Sequence, residues 1–418
     1  MNSRAQVSGA TEKNSKNRCS WIRQNPSGFD IAFFATVLPP APLAAISQRC
    51  GRLFSQLNLP MICNRLGQLI THTALAVILS CGMVDHAARA GQTWTIASDY
   101  PADTVAGRGV AIFATALTRQ TDGVLTGQTE FRAKRVQNGV PADLVAAIQD
   151  GSVQVADVFT GSLAHLDPVF ELSTLPFEVH SMEESRRLAC LAKPAYQRAL
   201  LRARLHLLFI SLWPPTGLWS RQPVTTVADV ANLRVRAYDK ASAEVLGSLG
   251  AHAAVVPVQA VGPLVRIGAI DAVLSSGDGA VGRSLQADLP NFNAIHYAYP
   301  VSFVVMNQSR YEALPENLRH ELDEAAADAE QQQWRFLPER IRANQAQMQR
   351  AGVAVNPSID VALIVRLREA GETRMRDWLS RVSREDAGII NVFRKQGAPS
   401  AQDACLSSLP EAVHTARG

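Results

Sequence analysis

Strand-like and helix-like segments alternate along the chain from residue 91 onward, and this alternation constrains the fold more than any other feature. Apolar and polar side chains alternate over residues 93–97 as in a strand, and apolar side chains recur at helical spacing over 110–118. The pattern continues with a strand-like, a helix-like and a strand-like segment, at 128–136, 142–148 and 153–158. Such alternation predicts an α/β fold built on parallel strands.

A proline pair divides this pattern into two parts. Residues 207–213 form an apolar run, which is typical of a strand buried on both faces, and Pro214 and Pro215 follow it directly. We interpret the pair as a crossover into a second domain, built from residue 216 to about 300. A strand-like run over 295–306 then leads the chain back.

A long helix is predicted after this return. Pro315 suits the first helical position, and small or apolar side chains recur on one face as far as Ala329. Pro338 is expected to kink or restart the helix, and Gly352 is expected to end it. Two later helices and a loose tail are predicted at 358–370, at 372–383 and after about 396.

Basic residues are concentrated in the first 90 residues. The whole chain has a net charge of +4, but residues 1–90 contain nine of its 41 Lys and Arg residues and only three of its 37 Asp and Glu residues. The rest of the chain therefore has a slight acidic excess and lacks the basic surface that nucleic-acid binding requires. We expect no nucleic-acid partner.

Residues 61–90 have the features of a secretory signal peptide. A positive charge precedes an apolar core at 74–79, and residues 88–90 form a small-x-small cleavage motif. The apolar core is too short to span a bilayer. Because a signal peptide would begin at Met61, we expect residues 1–60 to be untranslated or absent from the mature protein, which would be periplasmic.

Two other interpretations of this leader stay open. Residues 78–81 resemble an imperfect lipoprotein motif, and residues 29–46 form a second apolar stretch that prolines interrupt. The leader also contains four of the six cysteines, which leaves Cys190 and Cys405 in the body. Two cysteines this far apart form neither a disulfide framework nor a zinc site, and the sequence leaves open whether they pair.

Arg236 is the leading candidate for a binding residue. It lies near the end of a predicted strand within 229–238, and a helix at 241–249 and a strand at 253–257 follow. A cation at the carboxyl end of a strand in an α/β sheet points into the crevice where such folds bind their ligands. A solvated arginine at a strand end is the competing interpretation.

Four aromatic residues fall at the ends of predicted strands or in the loops after them, namely Tyr100, Trp213, Trp219 and Tyr238. Core packing would explain each of them separately. If several of them faced one cleft, they would form an aromatic lining around the Arg236 guanidinium.

Motifs for catalysis and cofactor binding are weak. Residues 277–282 match the G-x-G-x-x-G pattern of dinucleotide sites after a strand-like segment at 270–275, but no acidic residue ends the next strand. A glycine-rich loop at a binding cleft is the preferred interpretation, and an NAD(P)-dependent oxidoreductase is the alternative. His180, Glu183 and Glu184 could ligate a metal, but a helix start explains them as well. We expect no catalytic residue, cofactor or metal.

Several short motifs, in order, resemble those of one known family. They are Tyr100 and Pro101, Asp167 and Pro168, 175–177, 213–215, 233–238, 249–251, 268–271 and 275–277. Ordered from about residue 94 to 395, they make the chain similar to the extracytoplasmic solute-binding proteins of tripartite ATP-independent periplasmic (TRAP) transporters.

The resemblance implies two α/β domains hinged around a cleft, with the long helix near 315–351 bracing both. Domain I would comprise 91–213 and about 302–341, and domain II would comprise 214–301 and about 342–395. The implied protein is a periplasmic monomer that captures a small organic acid and delivers it to membrane permease subunits. A ligand-presenting partner of a sensor kinase is the alternative with the same fold.

The resemblance also implies roles for individual residues. The family's carboxylate-binding arginine matches Arg236, whose guanidinium can hold a carboxylate through two parallel hydrogen bonds. Ser276 falls at a polar contact of the family. The rest of the lining would include Tyr100, Thr160, Trp213 and Tyr238.

Three positions depart from the family pattern. Asn232 replaces a glycine, which is tolerable because asparagine also adopts left-handed backbone conformations. Ala272 replaces the glycine next to Asp271. Thr216 stands where sialic-acid-binding members have a second arginine, so we expect no sialic acid.

Overall fold

The computed structural model describes residues 91–131, 136–137, 140–141 and 143–395, which all belong to one compact unit. The predicted signal peptide at 61–90, the segment 1–60 and the predicted tail lie outside the described residues. Within the described part, no helix is both long and apolar enough to cross a membrane.

Helices and strands alternate along the described chain, as the sequence predicts. The strands are β1 (Gln92–Ser98), β2 (Leu125–Phe131), β3 (Val136–Gln137), β4 (Val140–Pro141), β5 (Val155–Phe159), β6 (Leu205–Leu212), β7 (Gly217–Ser220), β8 (Arg234–Ala237), β9 (His252–Val255), β10 (Ala272–Ser275), β11 (Asn291–Asn293), β12 (Val301–Asn307) and β13 (Ala354–Asn356). The helices are α1 (Val105–Gln120), α2 (Leu144–Gln149), α3 (Thr160–Leu163), α4 (Met182–Arg202), α5 (Val227–Val230), α6 (Lys240–Ser248), α7 (Val258–Arg266), α8 (Ala280–Leu285), α9 (Gln308–Glu312), α10 (Glu316–Arg350), α11 (Val361–Arg381) and α12 (Arg384–Lys395), with a 3-10 helix at Pro168–Thr174.

The first sheet has the strand order β2-β1-β5-β12-β6. β1 runs parallel to β2 and β5, whereas β12 runs antiparallel to β5 and β6. Apolar side chains of α1 and α10 cover one face of this sheet, and those of α2 and α4 cover the other. Burial on both faces explains the apolar runs of β5, β6 and β12, whereas β1 and the edge strand β2 keep polar positions.

The second sheet has the order β13-β11-β7-β10-β8-β9. β8 runs parallel to β9 and β10, whereas β7 runs antiparallel to β10 and β11. The predicted α/β fold is confirmed, but both sheets are mixed. β7 and β12 run antiparallel because each receives the chain from the other sheet, whereas helical crossovers within one sheet join parallel strands.

Two crossings of the chain between the sheets are hydrogen-bonded to each other. The Trp213 amide donates to the Pro300 carbonyl, and the Thr216 amide donates to the Ala298 carbonyl, each over 2.9 Å. The predicted crossover at Pro214 is therefore correct. The predicted strand over 295–306 is wrong at its start, since residues 295–300 belong to the second crossing and the strand begins at Val301.

The long helix α10 contacts both sheets. The Trp334 indole donates to the Ile210 carbonyl in β6 over 2.8 Å, and Arg340 pairs with Asp278 in the loop after β10 over 2.7 Å. The expected restart at Pro338 is wrong, because the helix continues through this residue. These contacts on both sides of Pro338 offset the main-chain hydrogen bond that proline removes.

The two predicted helices at 358–370 and 372–383 are also wrong in their bounds. The structure has one helix, α11, across this region, and α12 follows it. Gly371 lies at the predicted break, but its role is packing: a Cβ there would lie 3.1 Å from the Pro176 side chain. The predicted domain boundaries stay a prediction.

Candidate functional site

Arg236 is positioned by the carboxyl ends of three neighbouring strands. It is the third residue of β8, which lies between β10 and β9. Its Nε donates to the carbonyl of Val256, just after β9, over 2.9 Å, and its Nη1 donates to the carbonyl of Leu274 in β10 over 3.0 Å. These two bonds fix the guanidinium at the edge of the second sheet where α/β folds bind ligands.

The Arg236 guanidinium is buried without a counterion in the described part of the chain. Only 7% of the residue is exposed, and no described carboxylate forms a salt bridge with it. Burial lowers its pKa, although an arginine remains protonated under physiological conditions. An unpaired buried charge is costly, and an anion bound beside the guanidinium would reduce this cost.

Two adjoining pockets lie between the sheets at this edge. They contain about 430 Å³ and about 1130 Å³ of empty space, including space open to solvent. The residues that line both are Tyr100, Phe159, Arg236, Tyr238 and Val258. We call the two pockets together the cleft.

Aromatic rings from both sheets form one wall of the cleft. The ring centroids of Tyr100 and Trp213 are 4.6 Å apart, and those of Phe159 and Tyr238 are 5.5 Å apart in an edge-to-face contact. The Trp213 indole donates to the Ser302 hydroxyl over 2.8 Å, which fixes the ring against the first sheet. The wall suits a small ligand with an apolar or planar face.

The structure brings most of the predicted binding residues together. Arg236, Tyr100, Tyr238, Trp213 and Ser276 all line the cleft. Their contact with a ligand stays a prediction.

Thr160 lies elsewhere. It is fully buried, and its hydroxyl donates to the Phe170 carbonyl. Thr160 is therefore hydrogen-bonded to the 3-10 helix. The residues that follow it, Gly161 and Ser162, line the larger pocket. The predicted ligand contact of Thr160 has no support in this arrangement.

Close packing explains the glycines at 277–282 that resemble a dinucleotide motif. A Cβ at Gly277 would lie 2.3 Å from the Trp219 ring, and one at Gly279 would lie 2.6 Å from the Asp103 carbonyl oxygen. Both residues also have positive φ angles, 66° and 57°, which favour glycine. Trp219 itself is fully buried against Phe292, so it is a core residue and not part of the aromatic wall.

Carboxylates of the protein itself occupy the helix start in this loop. The Ala280 amide at the start of α8 donates to Asp103 over 3.2 Å, and Arg283 pairs with the same carboxylate. In return, the Val105 amide at the start of α1 donates to Asp278 over 2.6 Å. Each carboxylate thus accepts a hydrogen bond from the first amide of a helix, Asp103 from α8 and Asp278 from α1. A pyrophosphate is not needed to accept from these amides.

Asp278 joins three parts of the fold. Its side chain is fully buried, and besides Val105 it accepts hydrogen bonds from Arg340 over 2.7 Å and from Asn344 on α10. The preferred interpretation of this loop from the sequence is a glycine-rich loop at a binding cleft, and nucleotide binding is the alternative. The structure shows a loop whose acid connects α1, α8 and α10.

Two further carboxyl groups lie behind and beside Tyr100. Asp99 follows β1 and lines the larger pocket, and Asp157 is buried in β5 opposite Ser98. Burial raises the pKa of Asp157 to about 8, and the nearby Asp99 carboxylate adds to the rise. At neutral pH Asp157 is therefore mostly protonated.

Asp157→Asn is expected to stabilise the protein at pH 8 but not near pH 4. The folded protein keeps a proton on Asp157 up to a pKa of about 8, whereas the unfolded chain releases it near 3.8. Folding therefore binds a proton in this range, and stability falls as the pH rises through it. Asparagine removes this cost, which the two pKa values put at roughly 5 kcal/mol at pH 8. Urea denaturation of both proteins at both pH values measures it, and an equal difference at pH 4 and pH 8 would contradict it.

The His180 group does not form a metal site. The His180 amide donates to the Glu184 carboxylate over 2.7 Å, and the side chains pair over 3.4 Å at the start of α4. Across the described ranges, no group of three or more His, Cys, Asp or Glu residues is arranged to hold a metal. Ser181 caps α4, and Glu183 and Glu184 lie in its first turn, where the competing interpretation placed them.

The fold and the cleft together are those of an extracytoplasmic solute-binding protein. Residues 96–370 match the model of the family described as bacterial extracellular solute-binding protein, family 7. The chain belongs to this family. No curated protein matches the sequence.

Solved structures of TRAP solute-binding proteins share the fold. DctP7 of Bordetella pertussis, an extracytoplasmic solute receptor binding pyroglutamic acid, is 26% identical with a TM-score of 0.68; the match covers 73% of this chain and 100% of that one. DctP6 of the same organism, which also binds pyroglutamic acid, is 24% identical with a TM-score of 0.67 and the same coverage. A pyroglutamate-specific protein from a marine metagenome is 23% identical with a TM-score of 0.68, covering 73% of this chain and 99% of that one. The resemblance to the TRAP family is confirmed.

Proposed function

We propose that this protein captures a small organic acid by its carboxylate and delivers it to the membrane permease of a TRAP transporter. The observation that carries the proposal is the buried Arg236 guanidinium, which has no counterion in the described part and lines a cleft between two sheets. Its Nη2 makes no hydrogen bond to a described residue, since Nε and Nη1 hold the two carbonyls. It is therefore free to donate to a carboxylate.

The proposed role needs binding and release, but no chemical step. Arg236 would hold the carboxylate, the aromatic wall would contact the body of the ligand, and Ser276 would add a polar contact from the loop after β10. Pyroglutamic acid, the ligand of DctP7, has the expected size and a single carboxylate. It is the first acid to test.

An extracytoplasmic location fits a second observation. Cys190 is disulfide-bonded, and disulfides persist mainly in oxidising compartments such as the periplasm. The family is extracellular by its description. We propose a periplasmic monomer that is exported by the signal peptide at 61–90.

A thermal-shift screen tests this function. We expect the acid that the cleft binds to raise the melting temperature by a few degrees, since a ligand at 100 times its Kd stabilises a protein by about 2.7 kcal/mol. NAD and NADP are expected to have no effect, because Asp103 occupies the helix start that a pyrophosphate would need. Stabilisation by dinucleotides and by no organic acid would favour the oxidoreductase alternative.

A further inference from the structure

Asp99 gives the cleft a second charged group that has no partner among the described residues. It follows β1 at the carboxyl end of the strand and lines the larger pocket together with Arg236. Its carboxylate forms no hydrogen bond or ion pair with a described residue. The two groups lie on opposite walls, because β1 belongs to the first sheet and Arg236 to the second.

Asp99 is half-buried but still charged at neutral pH. Burial raises its pKa to about 6, and the nearby Asp143 carboxylate adds to the rise. Asp157 behind it stays mostly protonated, so Asp99 supplies the negative charge of this wall. Without a donor from the described residues, the half-buried Asp99 carboxylate is hydrated by water in the open pocket. A ligand that displaces this water has to supply a donor in its place, because a carboxylate left without one is unfavourable.

The other acids that line the larger pocket already have partners. Asp239 accepts hydrogen bonds from the amide of Ser242 over 2.8 Å and from its hydroxyl over 2.6 Å, which caps α6. Glu171 forms salt bridges with Arg374 and Arg381. Both of these bonds to Asp239 end on Oδ1, and its buried Oδ2 accepts none from the described residues. Of the described acids in this pocket, Asp99 is therefore the one whose carboxylate has no protein donor on either oxygen.

We infer that the ligand is a monocarboxylate with an N–H or O–H donor, and that Asp99 accepts a hydrogen bond from this donor while Arg236 holds the carboxylate. The inference rests on the proposed function and narrows its substrate class. A second carboxylate on the ligand would face Asp99 and be repelled, so dicarboxylates are excluded. Asp99 is thus a residue that determines specificity.

Isothermal titration of the full chain with four acids tests the need for a donor and for a single carboxylate separately. Pyroglutamate offers an N–H, and glucuronate offers O–H groups. The lactone 5-oxotetrahydrofuran-2-carboxylate replaces the N–H of pyroglutamate by an oxygen, and succinate adds a second carboxylate. We expect pyroglutamate or glucuronate to bind roughly 10-fold or more tightly than the lactone and succinate, as a hydrogen bond to a charged group implies.

Substitutions then show whether Asp99 causes this preference. Asp99→Ala is expected to weaken the binding of the donor-bearing acid roughly 10-fold. The affinity for the lactone should stay the same or increase. Asp99→Asn keeps an acceptor oxygen, so its affinity for the donor-bearing acid should lie between those of the unaltered protein and Asp99→Ala. Asp143→Asn is the matched control, because it removes the nearby charge, retains a residue suited to cap α2, and lies outside the cleft lining. It should leave the preference in place.

The outcomes distinguish this inference from the proposed function. If the lactone or succinate binds as tightly as the donor-bearing acids, or if Asp99→Ala leaves the preference unchanged, the inference is wrong while carboxylate binding by Arg236 stands. If no organic acid binds the folded protein, both are wrong.

Discussion

Arg236→Ala is expected to weaken binding of the organic acid by roughly 2 to 5 kcal/mol, which turns a Kd of about 1 μM into one of roughly 0.03 to 5 mM. Most of this loss would arise because the ligand carboxylate is partly desolvated in the cleft and no longer has a cation to pair with. The aromatic wall would remain, but it contacts the body of the ligand and not its charge. Isothermal titration with the acid identified by the thermal-shift screen measures the change.

Two matched variants separate charge from geometry. Arg236→Lys keeps the cation but lacks the planar fork, so we expect it to recover only part of the affinity. Arg234→Ala removes an arginine two residues earlier on β8, where the side chain is half exposed and pairs with Asp271 outside the cleft. It should bind the acid like the unaltered protein. Unchanged affinity in a folded Arg236→Ala variant would contradict the assignment.

Asp278→Ala is expected to lower the free energy of unfolding by roughly 3 to 5 kcal/mol. The substitution leaves Arg340, whose side chain is only 14% exposed, without its ionic partner, and it removes the acceptor of the Val105 amide and the Asn344 side chain. Because these groups belong to α1 and α10, the loss should loosen both from the loop after β10. Urea denaturation followed by circular dichroism measures it.

Asp103→Ala is the natural comparison, since Asp103 plays the reciprocal role at the start of α8. Its side chain is 44% exposed, whereas that of Asp278 is fully buried. Solvent weakens the exposed pair, so we expect a loss of about 1 kcal/mol or less. Equal effects of the two substitutions would show that burial does not set the strength of these contacts.

The position of Arg236 at the cleft follows from its place in the sequence, whereas its binding role stays a prediction. A cation near the carboxyl end of a strand in an α/β sheet faces the ligand crevice, and the same rule covers Tyr238 after the same strand and Tyr100 and Trp213 after two others. Thr160 also follows a strand, but its side chain points to the Phe170 carbonyl. The direction of one side chain in a loop depends on contacts between distant segments, which a local pattern does not contain.

The residues that sequence reasoning missed depend on such contacts as well. Phe159 ends an apolar strand and looked like core, yet its ring reaches the aromatic wall. Asp99 precedes the predicted Tyr100 and would have been found if every polar residue at that strand end had been considered. Asp278 stood inside a glycine pattern whose usual meaning is phosphate binding. Only the approach of α1 and α10 shows that it is a structural acid.

The proline inside α10 has a mechanical consequence. Trp334 joins the helix to the first sheet and Arg340 joins it to the loop of the second, and Pro338 lies between them. Proline leaves the Trp334 carbonyl without its main-chain donor, so the rod is most compliant between its two anchor points. If the two domains close around a ligand, as the family resemblance implies, this section of α10 would bend while both contacts are kept.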